Sequence, residues 1–301
     1  MLTEQQLQIL LQIFDKRWQA VITQYLQAMG EHLRDIGQLL PSDVNRLTEM
    51  QRMRMSLDQI RQAIAKAAEL SVADIDKVFA AVAKADYDFA AQYYQAAGVQ
   101  QLPITQNAAV RRILQAQFKI TAGTMRNLSE TTILSDTYRK AIDVAIQSVQ
   151  TGVTDYSAAI RSALKAAAVE GLRVEYPNSG LTRRLDTAVR MNVLDGVRAV
   201  NNDVLWQTGE EFGADGVELS AHALCAEDHL PYQGRQYSFA EFERIQSRLD
   251  RPFFMWNCKH SMHPILLGIS QPAYTDEELE EFRQYSSEEI TIDGVTKTRY
   301  Q

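Results

Sequence analysis

The spacing of apolar residues over the first two thirds of the chain most restricts its fold. From Leu7, apolar side chains recur at Leu10, Leu11, Phe14, Trp18, Val21, Ile22, Tyr25, Leu26, Met29, Leu33, Ile36 and Leu40. Steps of three and four residues place them on one stripe of an α-helix, since each residue turns the chain by about 100°. Thr3 and Gln6 form a candidate capping box at its start, and Pro41 with Ser42 ends it and caps the next segment. The same pattern predicts a helix from Ser56 to about Leu70, and another opened by Ser71 and Asp74 and running toward Gly98. The segment Gln101-Leu102-Pro103-Ile104-Thr105 is a break. Helices are then expected from Asn107, from Ser135 to about Thr151, and from Asp155 to about Gly171. Such stripes are either the core of a helical bundle or a coiled-coil partner surface, and the bundle is the simpler reading.

Tyr176-Pro177-Asn178-Ser179-Gly180 reads as a turn, followed by one more long helix from Leu181 to Gly213. That helix carries Arg183, Arg184, Arg190 and Arg198. These could line a nucleic-acid groove, but pairing with Asp186, Asp195 and Asp203 on a solvated face is the expected arrangement. After Gly213 the pattern changes. Val217-Glu218-Leu219-Ser220 and Arg235-Gln236-Tyr237-Ser238-Phe239 look like short strands, with Pro231-Tyr232-Gln233-Gly234 as a turn between them. A short helix capped by Ser238 is expected from Ala240 to about Leu249. Asp293-Gly294, set between alternating β-formers, signals a hairpin near the end. The predicted fold is mainly α: a long-helix N-terminal region over residues 1–170, a small α+β subdomain over 171–275, and a tail over 276–301 with a hairpin. The sequence shows no internal repeat or low-complexity tract.

Several functions are disfavoured by composition. A net charge of −7 argues against a broad DNA-coating surface, which needs an excess of Lys and Arg to neutralise phosphates. The chain lacks an apolar run long enough to span a membrane, and its first residues are polar, unlike a signal peptide. It also lacks a Gly-rich phosphate loop, a G-x-S-x-G elbow and a His-Glu-x-x-His helix. A chain made and kept in a reducing cytoplasm, with two cysteines, is not expected to use a disulfide framework.

The chemically distinctive feature is crowding. Four of the five histidines and both cysteines fall between His222 and His263, while His32 reads as a surface residue of the first helix. Cys225 and His229 form a C-x3-H pair, and Cys258 and His260 a C-x-H pair. Zinc takes four N/S ligands in a tetrahedron, commonly as two short-spaced pairs brought together by the fold. Cys225, His229, Cys258 and His260 satisfy that rule as a structural zinc site, with His222 as the alternative to Cys225. Such an ion would staple two loops of a subdomain with little core of its own. The competing reading has both cysteines as inert buried residues with the histidines bonded locally. A third treats His222, His229, Asp228 and Glu227 as parts of a metallohydrolase or His-metal nuclease, which would need a vacant coordination site and a positioned base.

At these residues the chain resembles the phage minor capsid protein 2 family, which is related to the Mu F-like head morphogenesis proteins. The resemblance runs from about Gly171 to Thr275. It is carried by Gly171-Leu172-Arg173, Leu185-Asp186-Thr187-Ala188-Val189-Arg190-Met191, Val217-Glu218-Leu219-Ser220-Ala221-His222, His229, Tyr232-Gln233-Gly234-Arg235-Gln236-Tyr237 and Asn257-Cys258-Lys259-His260-Ser261. The Mu F-like pattern has a Cys-x-x-Cys pair, a strand beginning with Gly, and a Cys-Arg-Cys. Here His229 and His260 stand for the second members of those pairs, Lys259 replaces the arginine, and Cys225 lies one residue off the spacing. The minor capsid branch places a histidine at His222, which leaves the fourth ligand open between His222 and Cys225. The resemblance implies a structural protein of a tailed-phage head, made in the host cytoplasm and present in a few copies at the portal vertex or inside the head. It implies no known catalytic reaction. The expected partners are the portal protein and the major capsid protein, with packaged DNA or further copies of the chain as additional candidates. The alternatives are a metal-dependent nuclease, a cell-wall hydrolase carried in the head, or a DNA-binding ejection protein. Family members extend beyond this end with a basic helical segment, so a chain stopping at Tyr300-Gln301 is expected to be truncated.

Overall fold

The computed structural model describes residues 2, 4–36, 43–133, 140, 156–176, 179–256, 258–292 and 295–298. Among them are seven α-helices and eight short strands: α1 (Glu4–Ile36), α2 (Asp43–Ala97), α3 (Ala108–Glu130), β1 (Thr132–Ile133), α4 (Tyr156–Glu170), β2 (Arg173–Tyr176), β3 (Leu181–Arg184), α5 (Leu185–Phe212), β4 (Gly216–Leu219), β5 (Gln236–Ser238), α6 (Phe239–Gln246), β6 (Met262–Ile265), α7 (Asp276–Ser287), β7 (Glu289–Ile292) and β8 (Val295–Thr298). The fold is mainly α, with small antiparallel sheets. Among the described residues no helix is long and apolar enough to cross a membrane. The chain divides into two compact units, one of residues 5–75 and 121–193 and one of residues 1–4, 76–120 and 194–301.

The first unit buries the stripe read from the sequence. Leu11, Phe14, Trp18, Val21, Ile22, Tyr25, Met29 and Leu33 of α1 are all in its core, opposite Leu57, Ile60, Ile64, Val72 and Ile75 of α2. His32 is buried as well, which corrects its reading as a surface residue. The expected break at Ser71 is also absent. Ser71 Oγ donates to the Ala67 carbonyl one turn back (2.7 Å) and accepts from Trp18 Nε1 (3.2 Å), while Asp74 pairs with Arg17 at 2.5 Å. A serine bonded to its own helix in this way does not cap a new one, so α2 runs unbroken for 55 residues.

A third correction concerns Leu181–Arg184. These residues form β3, paired antiparallel with β2 in the register Tyr176↔Leu181 to Arg173↔Arg184, and β2 pairs in turn with β1. The helix begins only at Leu185. Its first-turn Asp186 accepts from the Thr187 amide (2.8 Å) and pairs with Arg184 (2.9 Å). Of the expected Arg–Asp pairs, this one forms, whereas Arg190 reaches Asp15 at 3.1 Å.

In the second unit, Asn107 caps α3 by accepting from the amides of Ala109 and Val110 (3.0 and 3.1 Å). Its side-chain amide donates to Glu211 of α5, which also accepts from Tyr94 Oη of α2 (2.5 Å). The three-stranded sheet has the order β5-β4-β6, with every residue of central β4 buried. Gly209 lets α5 lie against β6, because a Cβ there would stand 2.6 Å from Pro264 Cβ. The expected cap at Ser238 is present as a full capping box with Glu241, although α6 ends at Gln246. The region read as a tail contains α7, which has its own capping box between Thr275 and Glu278. The hairpin strands β7 and β8 pair as expected, with Ile292 opposite Val295. Its turn Asp293-Gly294, the cap candidates Thr3 and Ser42, and nearly all of the helix expected from Ser135 lie outside the described residues.

Asp86 of α2 is fully buried and accepts from Asn201 Nδ2 at 2.8 Å. Burial raises its pKa from 3.8 to about 6 despite that bond. A raised carboxyl pKa favours the folded state most below the unfolded value, and this contribution is lost as pH climbs through about 6. Asp86→Asn is therefore expected to be more stable than the wild type at pH 8 by roughly 1–3 kcal/mol. The difference should vanish below about pH 4. Chemical denaturation across this pH range measures it, and a constant difference at every pH would assign the effect to packing.

Candidate metal centre

The loop leaving β4 and the loop entering β6 bring His229, Cys258 and His260 together. Their ligand atoms all lie within 4.8 Å of one another, and all three residues are buried at 1%, 7% and 2% exposure. The pocket is walled by Phe253, whose ring stacks on His229 (4.1 Å between centroids, 24°) and meets the edge of His260 (5.1 Å, 89°). Val217, Leu219, Phe242, Phe253, Phe254, Cys258 and Met262 form the hydrophobic cluster beneath.

Hydrogen bonds define the tautomers. His229 Nε2 lies 2.7 Å from the Arg251 carbonyl, which only accepts, so that nitrogen carries the proton. His260 Nε2 lies 3.1 Å from Gln233 Oε1. The same oxygen accepts the His222 amide (3.1 Å), which fixes the orientation of the Gln233 amide and makes His260 Nε2 a donor too. Each imidazole therefore turns an Nδ1 lone pair toward Cys258 Sγ, at 3.7 Å from His229 and 3.2 Å from His260. An ion about 2.05 Å from nitrogen and 2.3 Å from sulfur in a tetrahedron requires N···S separations of about 3.6 Å. The observed distances bracket that value. An outward N–H held by a carbonyl or amide oxygen is also how a protein orients metal-binding histidines.

Electrostatics agrees with a pocket of neutral donors. Burial depresses the pKa of His229 and takes that of His260 down to about 2, with His222, His229 and Arg198 adding to the effect on His260. Burial raises the Cys258 thiol. Two imidazole lone pairs beside a thiol that would lose its proton to solvent on binding a cation form a borderline-soft site suited to zinc.

Neither of the remaining expected ligands, Cys225 and His222, belongs to this group of three donors. Cys225 is fully buried, but its Sγ donates to the Ala226 carbonyl (3.4 Å) and lies outside the group of three donors. Burial, helped by Cys258 and Asp228, pushes its pKa up to about 12. The His222 ring packs against His260 at 4.5 Å between centroids. Asp228, a candidate base in the hydrolase reading, is engaged by Arg251 at 2.8 Å. His263 lies on β6 against Phe89, away from the cluster. Sequence reasoning placed the donors but missed Gln233, Arg251 and Phe253 as their holders. An amide, a backbone carbonyl and a phenyl ring carry no spacing signal.

The family relationship is clear. A profile of the phage minor capsid protein 2 family matches residues 2–300. The chain belongs to that family, and the match covers the N-terminal helices as well as the region around the centre. No curated protein and no solved structure matches the chain significantly.

Gln233→Leu removes the oxygen shared by His222 and His260 and leaves the buried His260 Nε2–H and the half-buried His222 amide unmet. A loss of about 2–4 kcal/mol in folding stability is expected, against less than about 0.5 for the exposed control Arg235→Gln. Equal effects in urea denaturation would remove Gln233 from the account of the centre.

Proposed function

We propose that this minor capsid protein is a structural component of the phage head that works through protein–protein contacts at the portal or inner head. In this reading His229, Cys258 and His260 hold a structural zinc ion. The observation that carries the proposal is the family match over nearly the whole chain. The character of the centre supports it. A catalytic zinc keeps one position open to water, whereas these three donors are buried, with Cys258 part of the hydrophobic core of the β4–β6 sheet and the Phe253 ring against both histidines. The net charge of −7 favours protein partners over packaged DNA.

Purified chain mixed with portal or major capsid protein of the same phage is expected to co-migrate with one of them in sedimentation velocity. Duplex DNA at physiological salt should leave its sedimentation unchanged. Failure to associate with either protein would contradict the proposal, and salt-dependent DNA binding would favour an ejection role.

A further inference from the structure

We infer that His222 Nε2 supplies the fourth donor of this centre, completing a Cys/His3 tetrahedron, while Cys225 stays outside the coordination sphere. The inference rests on the zinc reading above and answers a question that ligand spacing leaves open.

The decisive observation is an orphaned lone pair. His222 Nδ1 lies 2.8 Å from the Ala223 carbonyl, so Nδ1 carries the proton and Nε2 is the acceptor. That Nε2 is buried and has no hydrogen-bond partner. A buried acceptor without a partner costs about 1–3 kcal/mol, and a fourth bond to a metal removes the cost. The ring is already beside the trio, packed on His260, and Gln233 Oε1 joins the two residues by accepting both the His222 amide and His260 Nε2. His222 therefore has the arrangement of the other two histidines: one nitrogen held outward by an oxygen, the other left with a free lone pair. Cys225 shows the reverse. Its sulfur is already engaged with the Ala226 carbonyl, in a fully buried setting close to the Asp228 carboxylate.

The backbone between the two candidates agrees. Leu224 takes φ 62°, in the left-handed region that costs a leucine about 1 kcal/mol or more. Its amide is tied to Ser286 Oγ of α7 at 2.8 Å. On the other ligand loop, Phe254 (φ 74°) and Trp256 (φ 53°) are strained in the same way just ahead of Cys258. Strain on both loops, next to the donors, is what an ion anchoring them to each other would sustain.

Cobalt(II) titration of the full chain tests the assignment, because the thiolate-to-cobalt charge-transfer band counts sulfur ligands and the d–d bands report a tetrahedral site. The wild type is expected to bind one cobalt with the band of a single thiolate. Cys225→Ala should keep that band and bind within about twofold of wild type. His222→Ala should keep the band but weaken binding by at least about tenfold and lose d–d intensity as water enters. His222→Cys, which restores a fourth donor, should double the band, a gain that misfolding cannot imitate. A wild-type band of two thiolates that Cys225→Ala halves would overturn the inference, as would unchanged binding and d–d bands in His222→Ala. In both outcomes the three-donor centre would stand. A wild type that takes up no cobalt or zinc would instead remove the zinc reading, and this inference with it.

Discussion

Two imidazoles turned inward on one thiol organise the second unit around its sheet. His229 and His260 face Cys258 because their other nitrogens donate outward, to the Arg251 carbonyl and to Gln233 Oε1. Those two acceptors are themselves fixed. Arg251 is tied to Asp228, the neighbour of His229, and Gln233 is held by the His222 amide. Each donor thus depends on residues from the other loop, and Phe253 closes the space between the rings. Removing the outward acceptor of either histidine leaves a ring N–H of a buried residue unmet in an apolar setting, where the penalty is largest.

The sheet and helices around the centre explain why it needs such fastening. β4 is buried along its whole length, but it and its two neighbours are only three or four residues long. Such short strands give little cooperative stability by themselves. Two devices add to it. One is close approach, as at Gly234, where φ is 66° and a Cβ would stand 2.3 Å from Leu279 of α7, so that helix packs directly on the loop between His229 and β5. The other is the donor trio, which joins that loop to the segment entering β6. A metal ion bound only in the folded state would stabilise the module by its full binding free energy relative to the unfolded chain.

The sequence was legible where periodicity or capping chemistry has one outcome. The α1 stripe from Leu11 to Leu33 is buried as its spacing requires, Asn107 and Ser238 cap the helices expected of them, and the crowding of His and Cys does mark a cluster. It misled where one residue type serves two purposes. Ser71 resembles a cap but bonds back to Ala67, and Leu-Thr-Arg-Arg at 181–184 has no alternation to separate a strand from a helix start, so only pairing with β2 decides it. The acidic run at 276–281 reads as a tail, yet Thr275 and Glu278 cap a helix there. Within the centre, spacing alone puts Cys225 forward and leaves His222 as its alternative. The preference for His222 comes from tautomers and from an unmet lone pair, which only three-dimensional neighbours define.

The claim on which the account depends is that a metal ion fastens this module. Elemental analysis of the purified chain, paired with thermal melting before and after chelation, tests it most directly. About one zinc per chain is expected, with a melting temperature that falls on chelation and recovers when zinc returns. Metal-free protein that melts at the same temperature with or without added zinc would contradict it.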